Sequence, residues 1–270
     1  MEIYADHALA QRLECLEGAA CRSFVEARAC VQPDVNACWT EVQGAYAMYD
    51  GPHSPITQTF GLGMFAPVTP ASLDELEEFF ISRGAAVNHE VSPLAGVAVY
   101  ALLVERRYRP IEATSILYRE CADPLPGSVN PLVKVTITTE HQLWSDISAR
   151  GWAAGQPELM EFLNDYGTVL AAKENSVNFL AELDGTLIAA GSLSLDNHAA
   201  LLAGASTVPE GRRHGAQFAL LNARLRYAAA HGCDLAMMGA TPGSTSQRNA
   251  ERNGFRIAYT RVKWQLHPRP

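Results

Sequence analysis

Several signatures of common protein classes are missing from this sequence. Its 270 residues include six cysteines, but no C-x-x-C pair and no zinc-like spacing of cysteine and histidine, so we expect reduced thiols and no metal site. No apolar run approaches the roughly 18 residues of a membrane span, and the first residues carry acids where a signal peptide would carry a basic head. We therefore expect a cytoplasmic protein that has no membrane partner.

Positive charge and nucleotide-binding loops are also scarce. The formal net charge is -8, which argues against a nucleic-acid partner and suits a cationic one. The G-K-[ST] ending of P-loop proteins is absent. "GLGMFA", Gly61 to Ala66, fits the dinucleotide pattern G-x-G-x-x-A, but Pro67 and Pro70 stand where a helix would have to open. We expect these glycines to bend or bulge a strand instead.

The second half of the chain has a regular pattern of elements. From Thr136 onward, the apolar periodicity predicts the order β-α-α-β-β-β-α-β-α-β. Asp184-Gly185 and Asp196-Asn197 predict two hairpin turns. His231-Gly232 predicts the end of the long helix, and the apolar run "CDLAMMGAT" predicts a buried strand parallel to its neighbour.

A basic loop precedes that long helix. "TVPEGRRHGAQFALL", which begins at Thr207, places Arg212, Arg213 and His214 beside Gly215 at the start of the helix. A helix N-terminus offers unpaired N–H donors and about half a positive charge, and a glycine lets the backbone approach a ligand closely. The segment therefore predicts a phosphate site, although a solvated basic turn would have the same composition.

This arrangement resembles the GNAT superfamily of acyl-CoA N-acyltransferases over roughly the second half of the chain. "RRHGAQ" is similar to the pyrophosphate loop of that family, and "RNGF", Arg252 to Phe255, is similar to its Gly-Phe motif after the last helix. The resemblance implies binding of acetyl-CoA and direct transfer of its acetyl group to a primary amine of a small molecule. It also implies that the strand before the loop splays from its neighbour and pairs with the pantetheine arm. The residues implied in binding acetyl-CoA are Ser206, Thr207, Val208, Arg212, Arg213, His214, Gly215, Ala216, Gln217 and Asn249.

The sequence departs from the family pattern at two positions. Gln217 replaces a small residue of the loop, and Ala250 stands where many members have the tyrosine that protonates the thiolate. Ser246 and Asn249, on the same predicted helix, are the candidate replacements for that tyrosine. A noncatalytic acyl-CoA-binding regulator is the alternative function, because the missing tyrosine could report lost chemistry.

The residues of the acceptor side are less well defined by the sequence. The resemblance implies that two helices of the second half build it, with Trp144, Trp152 and Tyr166 as candidate lining residues. Glu182, His198 and the pair His89-Glu90 are candidate general bases, and His89-Glu90 could also face the substrate. Each of these side chains has an ordinary structural interpretation as well. Neither the acceptor nor the choice between monomer and homodimer follows from the sequence.

The first half repeats the closing pattern of the second. The segment from Met64 to Glu120 predicts strand, helix, strand, helix, strand, and Arg107-Tyr108-Arg109 parallels Gly254-Phe255-Arg256. We predict an α/β (α+β) protein of two GNAT-like copies, 1–122 and 131–270, each a mixed, mostly antiparallel sheet flanked by helices. The linker is "CADPLPGSVNP", Cys121 to Pro131. In the first copy, Ser72 and Glu75 predict a capping box, and the following acids oppose a phosphate, so we expect one CoA site, in the second copy.

Overall fold

The computed structural model describes residues 3–267, which divide into two compact units. The first unit runs to Tyr118 and adds Gly239–Glu251 and the chain from Phe255 onward, and the second comprises Arg119–Met238 and Arg252–Gly254. These units are not the two predicted copies, because the end of the chain is grouped with the first unit. The division into copies at 122 and 131 stays a prediction.

The first unit is built on a mixed sheet in the order β1-β2-β3-β4-β11-β5. Neighbouring strands are antiparallel except β3 and β4, which are parallel. An apolar core lies between this sheet and the second and third helices, and it includes Leu76, Phe80 and Leu103. The elements are α1 (His7–Val31), β1 (Cys38–Val42), β2 (Ala45–Tyr49), β3 (Gln58–Phe60), α2 (Pro70–Ile81), β4 (Asn88–Val91), α3 (Val97–Glu105), β5 (Tyr108–Glu120) and β11 (Arg256–Leu266).

The last four elements of the order predicted for Met64 to Glu120 are present as α2-β4-α3-β5, but the first strand of that prediction was wrong, because residues 61–69 contain no strand and β3 lies before the segment. β3 ends at Phe60, and Gly61 and Gly63 follow it with φ of 77°, so these glycines form a turn after the strand and not a bulge within it. The predicted Ser72–Glu75 capping box was wrong. Thr69 caps α2 and Ser72 is its reciprocal partner, so the helix begins three residues earlier and has no acid in its first turn.

The second unit contains a five-stranded sheet in the order β10-β9-β8-β7-β6. Its strands are antiparallel except β9 and β10, which are parallel as predicted. The predicted order of the second half is confirmed through to β11. Its elements are β6 (Val133–Thr138), α4 (His141–Trp152), α5 (Met160–Ala172), β7 (Ser176–Leu183), β8 (Thr186–Asp196), β9 (Ala199–Thr207), α6 (Ala216–Ala230) and β10 (Leu235–Ala240). The helix α7 (Thr245–Arg252) follows β10 in the chain and is grouped up to Glu251 with the first unit.

Both hairpin turns have two residues with positive φ, as a two-residue type I′ turn requires. Asp184 and Gly185 have φ of 49° and 80°, which confirms the first turn. The second turn is one residue later than predicted, at Asn197 and His198, with φ of 43° and 60°. His198 therefore lies within the turn, where its Nδ1 is 3.1 Å from the carbonyl oxygen of Gly232.

The last strand of the chain is held within the first unit by strand pairing and by buried charge. β11 pairs with β4 on one side and with β5 on the other. Arg261 of β11 is 3% exposed and donates two hydrogen bonds to Glu17 of α1, at 2.7 and 2.8 Å. Its Nε lies 2.9 Å from Glu90 of β4. This ion cluster thus joins the two ends of the sequence.

The turn before the last strand has a counterpart in the first half. Gly254 precedes β11 with φ of 82°, and Arg107 precedes β5 with φ of 72°. The next residues, Phe255 and Tyr108, are both buried. An internal repeat would show such a shared local conformation. It occurs where the sequence analysis paralleled Arg107-Tyr108-Arg109 with Gly254-Phe255-Arg256.

Candidate functional site

The site begins at the carboxyl end of β9, where the strand keeps only one partner. Among the described residues, β9 pairs with β10 from Ala199 to Leu201 alone, whereas its pairing with β8 continues to Thr207. The edge of β9 that faces away from β8 after Leu201 is here called the open edge. It offers backbone donors and acceptors to an extended ligand in the way that an added strand would use them.

Hydrogen-bond alternation identifies which residue presents its N–H on the open edge. The N–H of Val208 donates to the carbonyl oxygen of Ile188 in β8, at 3.0 Å. Since successive residues of a strand point their N–H groups to opposite edges, the N–H of Thr207 points away from β8. Of the two last residues of this strand end that the resemblance implies in binding acetyl-CoA, Thr207 and Val208, it is therefore Thr207 that presents its N–H on the open edge.

The end of α4 lies against this part of β9. A Cβ at Gly151 would be 2.4 Å from the Ser206 Oγ and 3.0 Å from the Thr207 nitrogen, so only glycine fits there without displacement. The Ser206 hydroxyl donates to the carbonyl oxygen of Ser148 at 2.9 Å. Arg150 forms an ion pair with Glu210. α4 therefore fixes both the strand end and the carboxylate nearest the basic loop.

The basic loop leads directly into α6. A short 3-10 turn, Pro209–Gly211, packs so closely that a Cβ at Gly211 would be 2.5 Å from the Ile188 Cβ. Arg213 and Gly215 then have φ of 68° and 83°. No side chain caps α6 in the described part of the chain, and its first turn contains no acid. The first N–H groups of α6 therefore remain available to an anion, beside the exposed side chains of Arg212, Arg213 and His214.

Side chains around the loop tie it to the neighbouring segments. Gln217 in the first turn of α6 donates to the Thr207 hydroxyl oxygen at 2.8 Å. Asn130 of the predicted linker donates to the carbonyl oxygen of His214 at 2.9 Å, and a Cβ at Gly215 would be 3.5 Å from the Asn130 Cβ. Ala216 is buried beneath the loop. The departure at Gln217 thus has a structural use, because it joins the helix to the strand end.

The N-terminus of α2, the equivalent helix in the first half, is capped by its own side chains. Thr69 and Ser72 cap α2 reciprocally, with Ser72 N to Thr69 Oγ1 at 3.1 Å and Thr69 N to Ser72 Oγ at 2.9 Å. Arg106 pairs with Asp74 and Glu77 further along the helix. The predicted contrast between the two helix starts holds, but the hydroxyl cap produces it and not a first turn rich in acids.

The candidate acceptor residues have different surroundings. Trp144 is fully buried, and its Nε1 donates to the carbonyl oxygen of Gly191 at 3.2 Å, so it belongs to the core of the second unit. Trp152 is 57% exposed at the end of α4, next to Gly151. Tyr166 is partly exposed on α5, with its ring centroid 6.2 Å from that of Phe162. Trp152 and Tyr166 are thus accessible from solvent, whereas Trp144 is not, and a role of Trp152 and Tyr166 in lining the acceptor site stays a prediction.

His89 and Glu90 lie inside the first unit. His89 is 0% exposed, and its Nε2 is 3.0 Å from the Tyr108 hydroxyl, which donates to Glu77 at 3.1 Å. Burial lowers the pKa of His89 to about 3. Glu90 is 3% exposed and faces Arg261 and Lys263. Neither side chain is presented to solvent, which argues against the predicted substrate contact.

The candidate acid residues lie on α7. Ser246 and Asn249 are exposed, and Ala250 is 3% exposed. Ser244 accepts a hydrogen bond from the Gln247 N–H at 3.2 Å, so Ser244 and not Ser246 is the cap of this helix. The residues of α7 up to Glu251 are grouped with the first unit, and the roles of Ser246 and Asn249 stay predictions.

Sequence reasoning missed three features around β9. Gly151 and Gly211 have ordinary φ and were recognisable only through the atoms that pack against them. Arg224, which lies in the middle of the apolar pattern of α6, is 4% exposed and was overlooked. A charged residue inside an otherwise apolar helical stripe was the available signal, because charged side chains are almost never fully buried unless they have a partner.

The structure also describes the cysteines, the groups that could bind a metal and the helices that could span a membrane. All six cysteines are free thiols, and burial raises the pKa of Cys121 to about 12. Within the described residues, no group of histidine, cysteine or acidic side chains is arranged to hold a metal ion. No helix of residues 3–267 is both long and apolar enough to cross a bilayer.

The segment 141–255 matches the acetyltransferase (GNAT) family. This segment contains the open edge, the basic loop and the Gly-Phe motif, so the resemblance proposed from those residues is confirmed for it. No curated protein matches the sequence. That the first half is a degenerate copy of the same domain stays a prediction.

Solved structures share the fold over most of the chain. A GCN5-related N-acetyltransferase from Kribbella flavida is 18% identical, with a TM-score of 0.62 over 92% of this chain and 96% of that one. A tandem GNAT protein from the clavulanic acid biosynthesis pathway is 15% identical, with a TM-score of 0.60 over 84% and 79%. A putative GNAT acetyltransferase from Novosphingobium aromaticivorans is 17% identical, with a TM-score of 0.52 over 91% and 97%. At these identities the likeness establishes the fold, which is that of GNAT proteins.

Proposed function

We propose that this protein is an N-acetyltransferase that moves an acetyl group from acetyl-CoA to a primary amine of a small molecule. The observation that carries the proposal is the uncapped start of α6, with Arg212, Arg213 and His214 around it, directly after a strand that has an open edge. Pyrophosphate fits the first feature and an extended pantetheine arm fits the second. One such site per chain is expected, because the start of α2 is capped by its own side chains.

The proposed reaction is a direct transfer. The amine nitrogen attacks the thioester carbonyl carbon, the C–S bond breaks, the nitrogen loses a proton to a base or water, and the thiolate of CoA gains a proton. The Thr207 N–H polarises the carbonyl oxygen, on which negative charge develops. Positioning by the strand and the loop supplies most of the remaining effect. Ser246 is proposed as the proton donor to the thiolate, with Asn249 near the cofactor.

The acceptor is proposed to bind beside the exposed face of α5 and the end of α4. Trp144 of α4 lies against Gly204 of β9, and Gly151, near the end of the same helix, lies against Thr207. α4 therefore runs toward the end of β9, and the segment that joins α4 to α5 follows from there. The segment 153–172 contains three acids and no lysine or arginine. Glu161 and Phe162 are exposed on α5. Carboxylates and aromatic faces together suit a cationic amine with an apolar body.

A noncatalytic acyl-CoA-binding regulator is the second candidate. The observation that favours it is Ala250, which is buried where many family members have the catalytic tyrosine. Since the thiol of CoA resembles a free cysteine with a pKa of about 8.5, water can complete the protonation without that tyrosine. We therefore prefer the enzyme.

Calorimetry with acetyl-CoA tests the binding site. We expect one molecule per chain, and Gly215→Asp should weaken binding at least tenfold, because a side chain and a negative charge would both face the phosphates. Ser72→Ala is the matched control at the start of α2 and should leave the affinity within about twofold, since it removes only a cap. A stoichiometry of two, or unchanged binding in Gly215→Asp, would contradict the assigned site.

Release of free thiol with a panel of primary amines separates the two functions. An enzyme should release CoA with at least one amine and form the N-acetyl product in equal amount, as checked by mass spectrometry. A regulator should bind acetyl-CoA and leave it intact during prolonged incubation with every amine. The second result would favour the regulator.

A further inference from the structure

A bulge interrupts the pairing of β8 and β9 shortly before the proposed thioester position. Ala190 pairs with Ser206 and Ser192 pairs with Ala203, so Gly204 and Ala205 together face the single residue Gly191. Gly204 has φ of 61°, the left-handed conformation that a glycine supplies in this kind of bulge. β9 is thus the strand that carries the extra residue.

The carbonyl groups of the bulge receive hydrogen bonds from two helices. Trp144 of α4 donates to the Gly191 oxygen at 3.2 Å. Arg224 of α6 donates through Nη1 to the Ser192 oxygen at 3.2 Å and to the Ala203 oxygen at 3.5 Å. A Cβ at Gly191 would be 3.3 Å from the Arg224 Cζ, so the guanidinium lies directly over this glycine.

Arg224 is a buried cation that has no acidic partner among the described residues. Its side chain is 4% exposed, and its remaining hydrogen bond runs from Nε to the Leu220 oxygen in its own helix, at 3.3 Å. Burial lowers the pKa of Arg224 to about 10, which still leaves it protonated at neutral pH. Carbonyl dipoles alone offset the cost of removing this charge from water.

The apolar core alone gives no reason for a cation at this position, because an apolar residue at 224 would continue the buried stripe formed by Leu220, Leu221, Leu225 and Ala228. What Arg224 adds is its hydrogen bonds to the carbonyl oxygens of Ser192 and Ala203 beside the bulge. A buried carbonyl group left without a donor is destabilising. The donors of Arg224 therefore act on the backbone of the bulge.

We propose that Arg224 is a positioning residue for acyl transfer, which holds the bulge of β9 so that the Thr207 N–H points along the open edge. The inference rests on the proposed function. A slip of one residue past the bulge would turn that N–H toward β8, because neighbouring residues alternate between the edges.

Arg224→Met tests this, because methionine keeps the length and apolar character of the side chain and removes its charge and donors. We expect a cooperative thermal transition at most a few degrees below that of wild type, because two carbonyl groups lose a donor, and an acetyl-CoA Kd within about threefold of wild type. We expect kcat to fall about tenfold to a hundredfold, as displacement of a catalytic group does. Arg224→Lys, which keeps the charge, should recover part of that loss.

Three results would overturn the proposal. One is a folded Arg224→Met variant with kcat within twofold of wild type. Another is a fall in kcat that comes with a thermal transition lowered by more than a few degrees and an acetyl-CoA Kd raised more than about threefold. That result would mean a structural role alone. If Arg224→Met does not fold, Arg224→Lys decides: a fall in kcat of threefold or more at unchanged KM for acetyl-CoA supports the proposal, and wild-type kcat refutes it.

A spectroscopic measurement separates this proposal from the failure of the proposed function. If wild type releases no thiol with any amine, the enzyme assignment fails, and the amide resonance of Thr207 then tests the bulge. Acetyl-CoA should shift that resonance in wild type and shift it much less in whichever Arg224 variant folds. Equal shifts in both proteins would show that Arg224 does not hold the strand end.

Discussion

At the scale of single residues, the site depends on glycines, which have no side chain, as much as on residues that have one. Gly151, Gly204 and Gly211 each lie where a Cβ would meet another atom within 3.0 Å. Only Gly204 of the three has a positive φ. The other two therefore serve close packing, which a sequence does not reveal because the contacting atoms come from distant segments.

Gly151→Ala should slow acyl transfer more than it affects stability. Alanine favours the helix by roughly 1 kcal/mol, but its Cβ would lie 2.4 Å from the Ser206 Oγ and crowd the Thr207 nitrogen. We expect kcat/KM to fall at least tenfold, with a change in Tm of a few degrees at most. Steady-state kinetics and thermal unfolding of the same preparations measure the two effects.

The double variant Gly151→Ala/Ser206→Gly is the control for that interpretation. Removing the Ser206 side chain relieves the shortest of these contacts and leaves the Thr207 nitrogen at 3.0 Å from the added methyl group. Partial recovery of kcat/KM would assign the defect to this contact. Wild-type kinetics in the single variant would mean that the strand end tolerates the displacement.

His89 should make the first unit sensitive to acid. The unfolded chain binds a proton at this residue below pH about 6.5, whereas burial lowers the pKa of native His89 to about 3. Because the unfolded state then binds more protons, the free energy of unfolding should fall as the pH drops from about 6.5 to about 3. The limiting slope is about 1.4 kcal/mol per pH unit.

Urea unfolding of wild type and His89→Leu at several pH values between 7.5 and 4 isolates this contribution. The raised pKa of buried Glu14 acts in the opposite direction, but it is common to both proteins and cancels in their difference. We expect the variant to be less stable than wild type at pH 7.5, because it lacks the contact with Tyr108. The deficit should shrink as the pH falls, and a constant difference would contradict a neutral buried His89.

At the scale of elements, sequence periodicity predicted the order of the second half correctly, because each element there shows its own pattern. Asp184-Gly185 and His231-Gly232 marked a turn and a helix end through local backbone preferences. The bulge in β9 was not predictable, since Gly204 lies in a run of small apolar residues that still reads as a continuous strand. The residues that contact the bulge, Trp144, Leu170 and Arg224, come from other elements, so local periodicity does not reveal them.

The helix pair α4–α5 should select the acceptor by charge. Glu161→Gln is expected to raise KM for a diamine about two- to fivefold, the range for one exposed charge pair, with less effect on a monoamine of similar size. The difference should shrink in high salt, because exposed charges are screened. Thiol release at low and high ionic strength measures both trends.

Asp196→Asn is the matched control for this charge effect. It removes an equal charge at the far end of β8, seven residues from Ala189, which pairs with Thr207. That separation is about 23 Å along the strand. Equal changes in KM for the two variants would mean that the overall charge of the protein causes the effect. They would contradict a specific role of α5.

At the scale of the whole molecule, the ends of the sequence depend on each other. β11 is formed by the last residues of the chain and pairs with β4 and β5 from its first half. Arg261 adds contacts with Glu14, Glu17 and Glu90, all within 4 Å. A linear division into two copies did not predict this arrangement, because strand order within a sheet is set by tertiary pairing and not by position in the sequence.

The fragment 131–270 should therefore fail as an independent protein. It retains β11 but loses both of that strand's sheet partners, and Arg261 loses all three of its carboxylates. An unpaired, partly apolar strand is prone to associate with other chains, so we expect a low soluble yield or an aggregated product without transferase activity. Co-expression with 1–130 should restore soluble protein, because it returns β4, β5 and α1 to the same strand. A fragment that is monodisperse, folds cooperatively and has wild-type kcat would show instead that the second copy is complete without the first.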